Sequence, residues 1–481
     1  MTLHRALAAI ALLTALRLLW LTLNVPELYA DEAQYWVWAQ SPSLGYFTKP
    51  PLIAWLIGAS TAACGDGEGC VRVWVPLLHA GTALLILRAG TLLFGERTGC
   101  WAGLIYATLP AVFVSSTIAS TDVPLLFFWA LALLAVLRIR EGAGVRWWLA
   151  LGLAIGLGML AKYAMAAFIG SFVLLIIADC KMRARLRGAG PFVALAAALI
   201  VMGPNLAWNM THDFASLRHV GANANLGGGP RFNIGKGFEF IGAQFGVFGP
   251  VLFALLLVLF ARGRALWADA RFRLLLIFTV PLLAVIAAQG FLSRANPNWA
   301  AAAYVAATLL VAGWCVTQGQ ERWLRASLGL HVAVALLIFL GPVLAEAVGH
   351  PLPRRFDPWM RQRGQAALGG AVAALLRENP GARLLADQRR DMATLVYYVR
   401  PHPFDAAMWD VDDVPNNEFE LTARLPADER RPLIWVTRRE DIAEVASRFE
   451  HVTPLARITV PTHPDAALRF RAFRLEGFRG Y

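Results

Sequence analysis

Long apolar runs, separated by short polar connections, fill the first 350 or so residues of the chain. A helix needs roughly 20 apolar residues to cross the hydrocarbon core of a bilayer. About eleven segments read as spans by that criterion: 7–23, 72–93, 100–118, 121–138, 147–161, 163–178, 191–208, 238–260, 273–290, 298–315 and 327–347. Pro50 to Ala63 is apolar but too short to span, and it reads as a re-entrant or interfacial helix. From about Pro351 the pattern changes: apolar runs shorten, and prolines and charges become frequent. Ala382–Asp387, Pro432–Thr437 and Ala467–Leu475 read as strands, with helices at Asp391–Val399 and Arg439–Phe449. The expected architecture is an α-helical polytopic membrane domain over residues 1–349, followed by a small α/β domain outside the membrane over 350–481.

Composition agrees. Apolar residues make up 58% of the chain and charged residues 16%, which excludes an ordinary soluble globular protein. Mean hydropathy is +0.53. The formal net charge of +12 follows from topology. With the N-terminus cytoplasmic, the inner loops carry Arg97, Arg138, Arg140, Arg146, Lys181, Arg183, Arg185, Arg187, Arg262, Arg264, Arg271, Arg273, Arg322 and Arg325. The outer loops carry only Lys49, Lys162, Arg218, Arg231, Lys236 and Arg294. This asymmetry obeys the positive-inside rule and places the tail on the outer side. Basic residues facing anionic lipid explain the excess charge, and no nucleic-acid motif is present. The first span has no small-residue cleavage site, so it reads as a retained helix. Cys64 and Cys70 bracket CGDGEGC in the first outer loop, where they can bridge or stay as two thiols.

The most informative stretch follows the first span: YADEAQYWVWAQSPSLGYFTKPPLIAW, Tyr29 to Trp55. Adjacent carboxylates, Asp31 and Glu32, stand where the chain leaves the bilayer, and Lys49 follows eighteen residues after Asp31. Charges beside a membrane are costly and mark function, although a helix cap would use the same acids. Further outer-side groups are Tyr46, Asp122, Lys162, Tyr163, Asn205, Asn209, His212, Asp213, Arg218, Gln244, Arg294, Asn296 and Asn298. Singly, each has an ordinary explanation. Asp122 in STDVPLL can be a helix cap, and Lys162 in AKYA can be an interfacial lysine. Asp410, Asp412 and Asp413 in the tail lack the glycine and terminal glutamate of a calcium loop and read as a solvated turn. Together, cations and carboxylates at one end of an apolar bundle suit a lipid-linked phosphate. Cations neutralise a phosphate leaving group. A carboxylate can act as general base toward an incoming hydroxyl or amine.

YADEAQYWVWAQSPSLGYFTKPPLIAWL resembles the first outer loop of bacterial family 39-type glycosyltransferases, which are similar to protein O-mannosyltransferases and the lipid A aminoarabinose transferase and share the GT-C membrane fold. STDVPLLFFWAL, GLGMLAKYAMAAF, LAWNMTHDFASLRH and NPNWAAAAY resemble later pieces of the same family, so the likeness spans roughly residues 5–345. It implies a sugar donor carried on polyprenyl phosphate and an acceptor on the outer face of the bacterial inner membrane. It implies Asp31 as the catalytic or acceptor-orienting acid, Glu32 as its paired carboxylate and Asp122 as a second acid. Lys49 and Tyr46 would lie at the donor, and the charges of the outer loops themselves add Lys162, Arg218 and Arg294 as further candidate phosphate-binding cations. Thr48 stands where some relatives carry a metal-holding acid, which argues against a bound divalent metal and leaves His212 and Asp213 as its candidate ligands. No other cofactor is implied. The expected activity is transfer of a hexosyl or pentosyl group to a cell-envelope lipid or glycan, ahead of a protein hydroxyl. A transporter or flippase of lipid-linked sugar is the alternative. It would place acids near mid-membrane and repeat its halves. The tail is expected to act as a lid or acceptor-recognition module.

Overall fold

A computed structural model of the chain describes residues 2–23, 26–223 and 232–481. Arg231, one of the cations expected in the outer loops, lies outside the described residues. The chain forms two compact units: 1–23, 49–56 and 72–337 in the first, and 24–48, 57–71 and 338–481 in the second.

The first unit is helical. Each of the eleven apolar segments falls on a helix or a pair of helices, but their lengths differ. Six are long and apolar enough to cross a membrane: Leu3–Leu23, Glu68–Phe94, Asp122–Arg140, Gly190–Thr211, Ala270–Leu292 and Glu321–Ala347. A seventh is the pair Ile234–Val247 and Pro250–Ala261, bent by 119°. Val145–Ala161, Tyr163–Ala178 and Ala303–Thr317 are shorter apolar helices, as is Leu52–Cys64 at the expected re-entrant segment. At ~1.5 Å per residue, a helix of about 15 residues falls short of a core roughly 30 Å thick. The segment 100–118 is divided where Pro110 starts a new short helix, Pro110–Ser115, after Glu96–Thr108. Proline has no N–H to continue the ladder, a break that apolarity alone does not reveal. The sharp bend after Val247 has a similar origin. Gly249 sits at φ +92° ahead of Pro250, and a Cβ there would fall 2.1 Å from His331 Nε2.

The core of this unit is packed by close helix approach and by rings. A Cβ on Gly99 would fall 2.4 Å from the Leu87 carbonyl oxygen, so only glycine lets Glu96–Thr108 lie against Trp74–Phe94. Trp129, Phe168 and Phe278 form a chain of ring contacts at 5.1 and 4.8 Å, all three buried.

The second unit contains a five-stranded sheet in the order β2-β1-β3-β5-β4. The strands are β1 (Arg383–Ala386), β2 (Ala407–Met408), β3 (Leu433–Thr437), β4 (Phe449–His463) and β5 (Ala466–Phe478). β1 pairs parallel with both β2 and β3, whereas β5 runs antiparallel to β3 and β4. Three of the strands match the expected ones. The two-residue β2 was not anticipated, and neither was β4, because its sequence carries Pro454 and Pro461. As an edge strand it accommodates both, with register shifts at Pro454/Ala456 and Pro461/His463. The expected helix over Arg439–Phe449 is reduced to one turn, Ala443–Ala446, and the expected Asp391–Val399 helix is Arg389–Tyr398. Helix Gln365–Glu378 was not anticipated. Trp435, Phe473, Leu385 and Trp409 are buried in the sheet's core, and truncating such an aromatic to alanine costs about 3–5 kcal/mol.

The first loop also belongs to this unit. Helix Ala30–Gln40 packs on helix Arg389–Tyr398, with Trp36 edge-on to Tyr397 at 4.9 Å. The Leu28 N–H donates to Tyr398 Oη at 2.6 Å, and the Phe47 N–H to Glu418 Oε2 at 2.6 Å. Trp36 Nε1 donates to Asp66 Oδ1 at 3.0 Å. Cys64 and Cys70 form a disulfide, with Cα atoms 5.9 Å apart.

Candidate functional site

Within the second unit, the acid pair divides into two roles. Asp31 and Glu32 open helix Ala30–Gln40, and consecutive helical residues point about 100° apart at 3.6 residues per turn. Glu32 is fully buried and accepts the Tyr29 N–H at 2.9 Å, which closes the helix start. Asp31 keeps 38% of its side chain exposed and pairs with Arg389 at 3.0 Å. Arg389 also donates to Gln34, one turn further along the same helix. Asp31 is therefore an accessible carboxylate held in place from one side. Sequence reasoning missed Arg389, although it stands in a pattern that occurs twice: a short strand followed by two arginines and an acid, RRD at 389–391 and RRE at 438–440.

Tyr46, expected at the donor, is buried and structural in its contacts. Its ring stacks on Trp38 at 4.5 Å. Its hydroxyl donates to the Trp38 carbonyl at 3.0 Å and accepts the Ser43 N–H at 3.1 Å. Burial pushes its phenol up to about 12, so it stays protonated at neutral pH. Thr48, the residue before Lys49, is buried.

In the first unit, Asp122 does not cap its helix; Thr121 occupies the cap position and makes no side-chain capping bond. Asp122 instead gathers partners from distant segments. Lys162 Nζ donates to it at 2.7 Å, and Asn298 Nδ2 at 2.8 Å. Three of the separate motifs, STDV, AKYA and NPNW, thus meet at one carboxylate. Lys162 and Asp122 are 20% and 15% exposed, so the pair is shielded without being sealed. Asp122 and Asn298 line a largely apolar cavity of about 280 Å³, together with Tyr106, Ser115, Leu126 and Tyr304. Behind it runs a polar chain: Ser115 Oγ lies 2.8 Å from His79 Nε2, and His79 Nδ1 lies 3.1 Å from Tyr106 Oη. Tyr304 Oη donates to Gln244 Oε1 at 2.6 Å, and Tyr163 Oη to Asn205 Oδ1 at 2.9 Å. These two amides and two phenols are consequently committed to one another as hydrogen-bonded pairs.

Lys49 is half-buried and lies three residues before the start of helix Leu52–Cys64, separated from it by Pro50 and Pro51. Arg218 and Arg294 are exposed, and neither forms an ion pair with a carboxylate among the described residues. His212 stacks on Trp208 at 4.1 Å with Nδ1 2.9 Å from the Trp208 carbonyl. Asp213 next to it is exposed at φ +50°. Among the described residues, no three His, Cys, Asp or Glu side chains converge as metal ligands.

Residues 48–208 match the family described as dolichyl-phosphate-mannose-protein mannosyltransferase. Over 433 residues the chain is 34% identical to the lipid A galacturonosyltransferase RgtD of Rhizobium johnstonii, covering 88% of this chain and 89% of that protein. It is 32% identical over 174 residues to an undecaprenyl phosphate-alpha-4-amino-4-deoxy-L-arabinose arabinosyl transferase of Pseudomonas aeruginosa, covering 35% of this chain and 32% of that one. In fold, it matches the crystal structure of ArnT from Cupriavidus metallidurans bound to undecaprenyl phosphate. The TM-score is 0.67 at 18% identity, with 97% of each chain covered.

Proposed function

The chain belongs to the GT-C glycosyltransferases of the protein mannosyltransferase and ArnT type, and from that premise we propose that it transfers a hexuronosyl group, of the galacturonosyl kind, from polyprenyl phosphate to a lipid A-type acceptor at the outer face of the inner membrane. The observation that carries this reading is the likeness to the galacturonosyltransferase, which runs through both units, whereas the likeness to the aminoarabinose transferase covers about a third of the chain. In the reaction, an acceptor hydroxyl oxygen bonds to the anomeric carbon as that carbon's bond to the phosphate oxygen breaks. Asp31 takes the hydroxyl proton, and the bonding pair leaves with the polyprenyl phosphate. Lys49 and Lys162 neutralise the charge gathering on that phosphate. Asp122 holds Lys162 in position.

The test is reconstitution of the purified protein with lipid A and with either galacturonosyl or aminoarabinosyl polyprenyl phosphate. A hexuronosyl mass increment on lipid A is the expected product. An aminopentosyl increment, or no increment with either donor, overturns the reading. The proposed orientation has its own check. A reporter active only in the periplasm, fused after Tyr481, is expected to be active, in keeping with the distribution of Arg and Lys among the loops. Activity of a cytoplasm-only reporter there would reverse the arrangement.

A further inference from the structure

The sheet of the second unit has a ligand-binding topology. From β1 the chain forms β2 on one side, then crosses back to form β3 on the other, and all three run parallel. In open α/β sheets ligands bind beyond the carboxyl ends of such neighbouring strands, where successive connections diverge. At that end of β1 the chain places Arg389, Arg390 and Asp391, and at that end of β3 it places Arg438 and Arg439. Between Arg390 and Asp391 on one side and Arg438 and Arg439 on the other opens a cavity of about 590 Å³, whose lining also includes Arg354 and Arg361. That volume is within the range of roughly 300–1,000 Å³ usual for small-molecule sites.

The charge in this cavity is unbalanced. Five arginines line it against a single carboxylate, Asp391. Arg438 is spent on Asp391, with bonds of 2.9–3.1 Å, and Arg439 on Asp387 at 2.7 Å and Glu444 at 2.8 Å. Arg354, Arg361 and Arg390 pair with no carboxylate among the described residues. Among the described residues, the side chain of Arg361 bonds only to the Tyr29 hydroxyl, at 3.2 Å. Converging guanidiniums repel unless an anion joins them, and their planar forks match phosphate oxygens two at a time. Inorganic phosphate would leave most of the cavity unfilled; a phosphorylated saccharide would occupy it. Tyr29 and Ala30, the two residues before Asp31, line the same cavity.

We propose that this arginine-lined cavity binds the phosphorylated saccharide headgroup of the lipid acceptor, with Arg354, Arg361 and Arg390 holding its phosphate and a sugar hydroxyl presented toward Asp31. The identity of the ligand as acceptor rests on the transfer reaction proposed above; the anion site rests on the arginines. The test uses the full-length protein in nanodiscs of neutral phosphatidylcholine. Binding of bisphosphorylated lipid A is compared with binding of its dephosphorylated form, for wild type, Arg390→Gln, Arg361→Gln and the double variant. The double variant is expected to bind the phosphorylated form at least about tenfold more weakly, a change of ~1.4 kcal/mol, with unchanged affinity for the polyprenyl-phosphate donor. Arg390→Lys, which keeps the charge and loses the fork, is expected to fall between. Equal binding of both lipids by wild type, or wild-type affinity in the double variant, overturns the proposal. So does equal competition by inorganic phosphate or phosphatidylglycerol, which would make the cavity a general anion surface. If arginine-dependent binding is found without any sugar transfer, the site stands and the assigned reaction fails.

Discussion

Asp31→Asn is expected to lower sugar transfer by about 10²–10⁴-fold, the usual range for losing a general base. The substitution keeps the size of the side chain and removes its capacity to take a proton. Its effect on stability is expected to be small. Asp31 is 38% exposed and its partner Arg389 is 28% exposed, and ion pairs of that kind contribute about 0–1 kcal/mol. The measurement is turnover of the purified variant beside its thermal unfolding. Near-wild-type turnover would remove Asp31 from the chemistry. Loss of turnover with an equal loss of folded protein would make it structural. Arg389→Gln supplies the control, since it frees the carboxylate without deleting it. Its transfer rate is expected to fall less than that of Asp31→Asn. Glu32→Gln separates the adjacent acids. Its carboxylate is engaged by the Tyr29 N–H, so the expected defect is in folding and not in turnover per folded molecule.

Lys49→Ala is expected to weaken donor binding by about 10–100-fold, because hydrogen bonds to charged groups contribute roughly 1.5–3 kcal/mol. Acceptor affinity is expected to be unchanged. Arginine is expected to restore binding poorly, since a broad planar fork does not replace a compact point charge. Lys162→Ala is expected to cost less, because the Lys162 ammonium is already shared with Asp122 at 2.7 Å. Titration of each variant with polyprenyl phosphate separates these outcomes. Wild-type donor affinity in Lys49→Ala would reduce that lysine to an anchor at the membrane interface.

What could be read from the sequence divides along physical lines. Hydrophobic runs located the long apolar helices of the first unit, because burial in lipid demands apolarity whatever the neighbours are, but not the short polar helices Cys180–Arg185, Ala215–Asn223 and Gly263–Trp267. The lengths of those helices were less legible. Pro110 and the Gly249-Pro250 pair break helices within runs that stay apolar, and hydropathy does not register a missing N–H. β1, β3 and β5 were visible as short apolar runs. β4 was hidden by its two prolines, which only an edge position tolerates. In the candidate site, Asp122, Lys162 and Asn298 were each visible as polar residues in apolar surroundings. Their meeting at one carboxylate depends on tertiary contacts across 40 and 176 residues of chain. Arg389, 358 residues from Asp31, had the same obstacle. The arginine pairs after β1 and β3 were in plain sight. Without the parallel register, nothing joined them.

Because residues 24–48 and 57–71 share a compact unit with 338–481, the inheritable piece of this protein is not its tail alone. A chimera that exchanged only residues 350–481 with a relative would separate Asp31 from Arg389, Phe47 from Glu418 and Leu28 from Tyr398. Grafting acceptor preference from one relative to another therefore calls for moving three stretches of chain together. Substitutions in the first loop and around helix Arg389–Tyr398 should be tolerated best as matched sets.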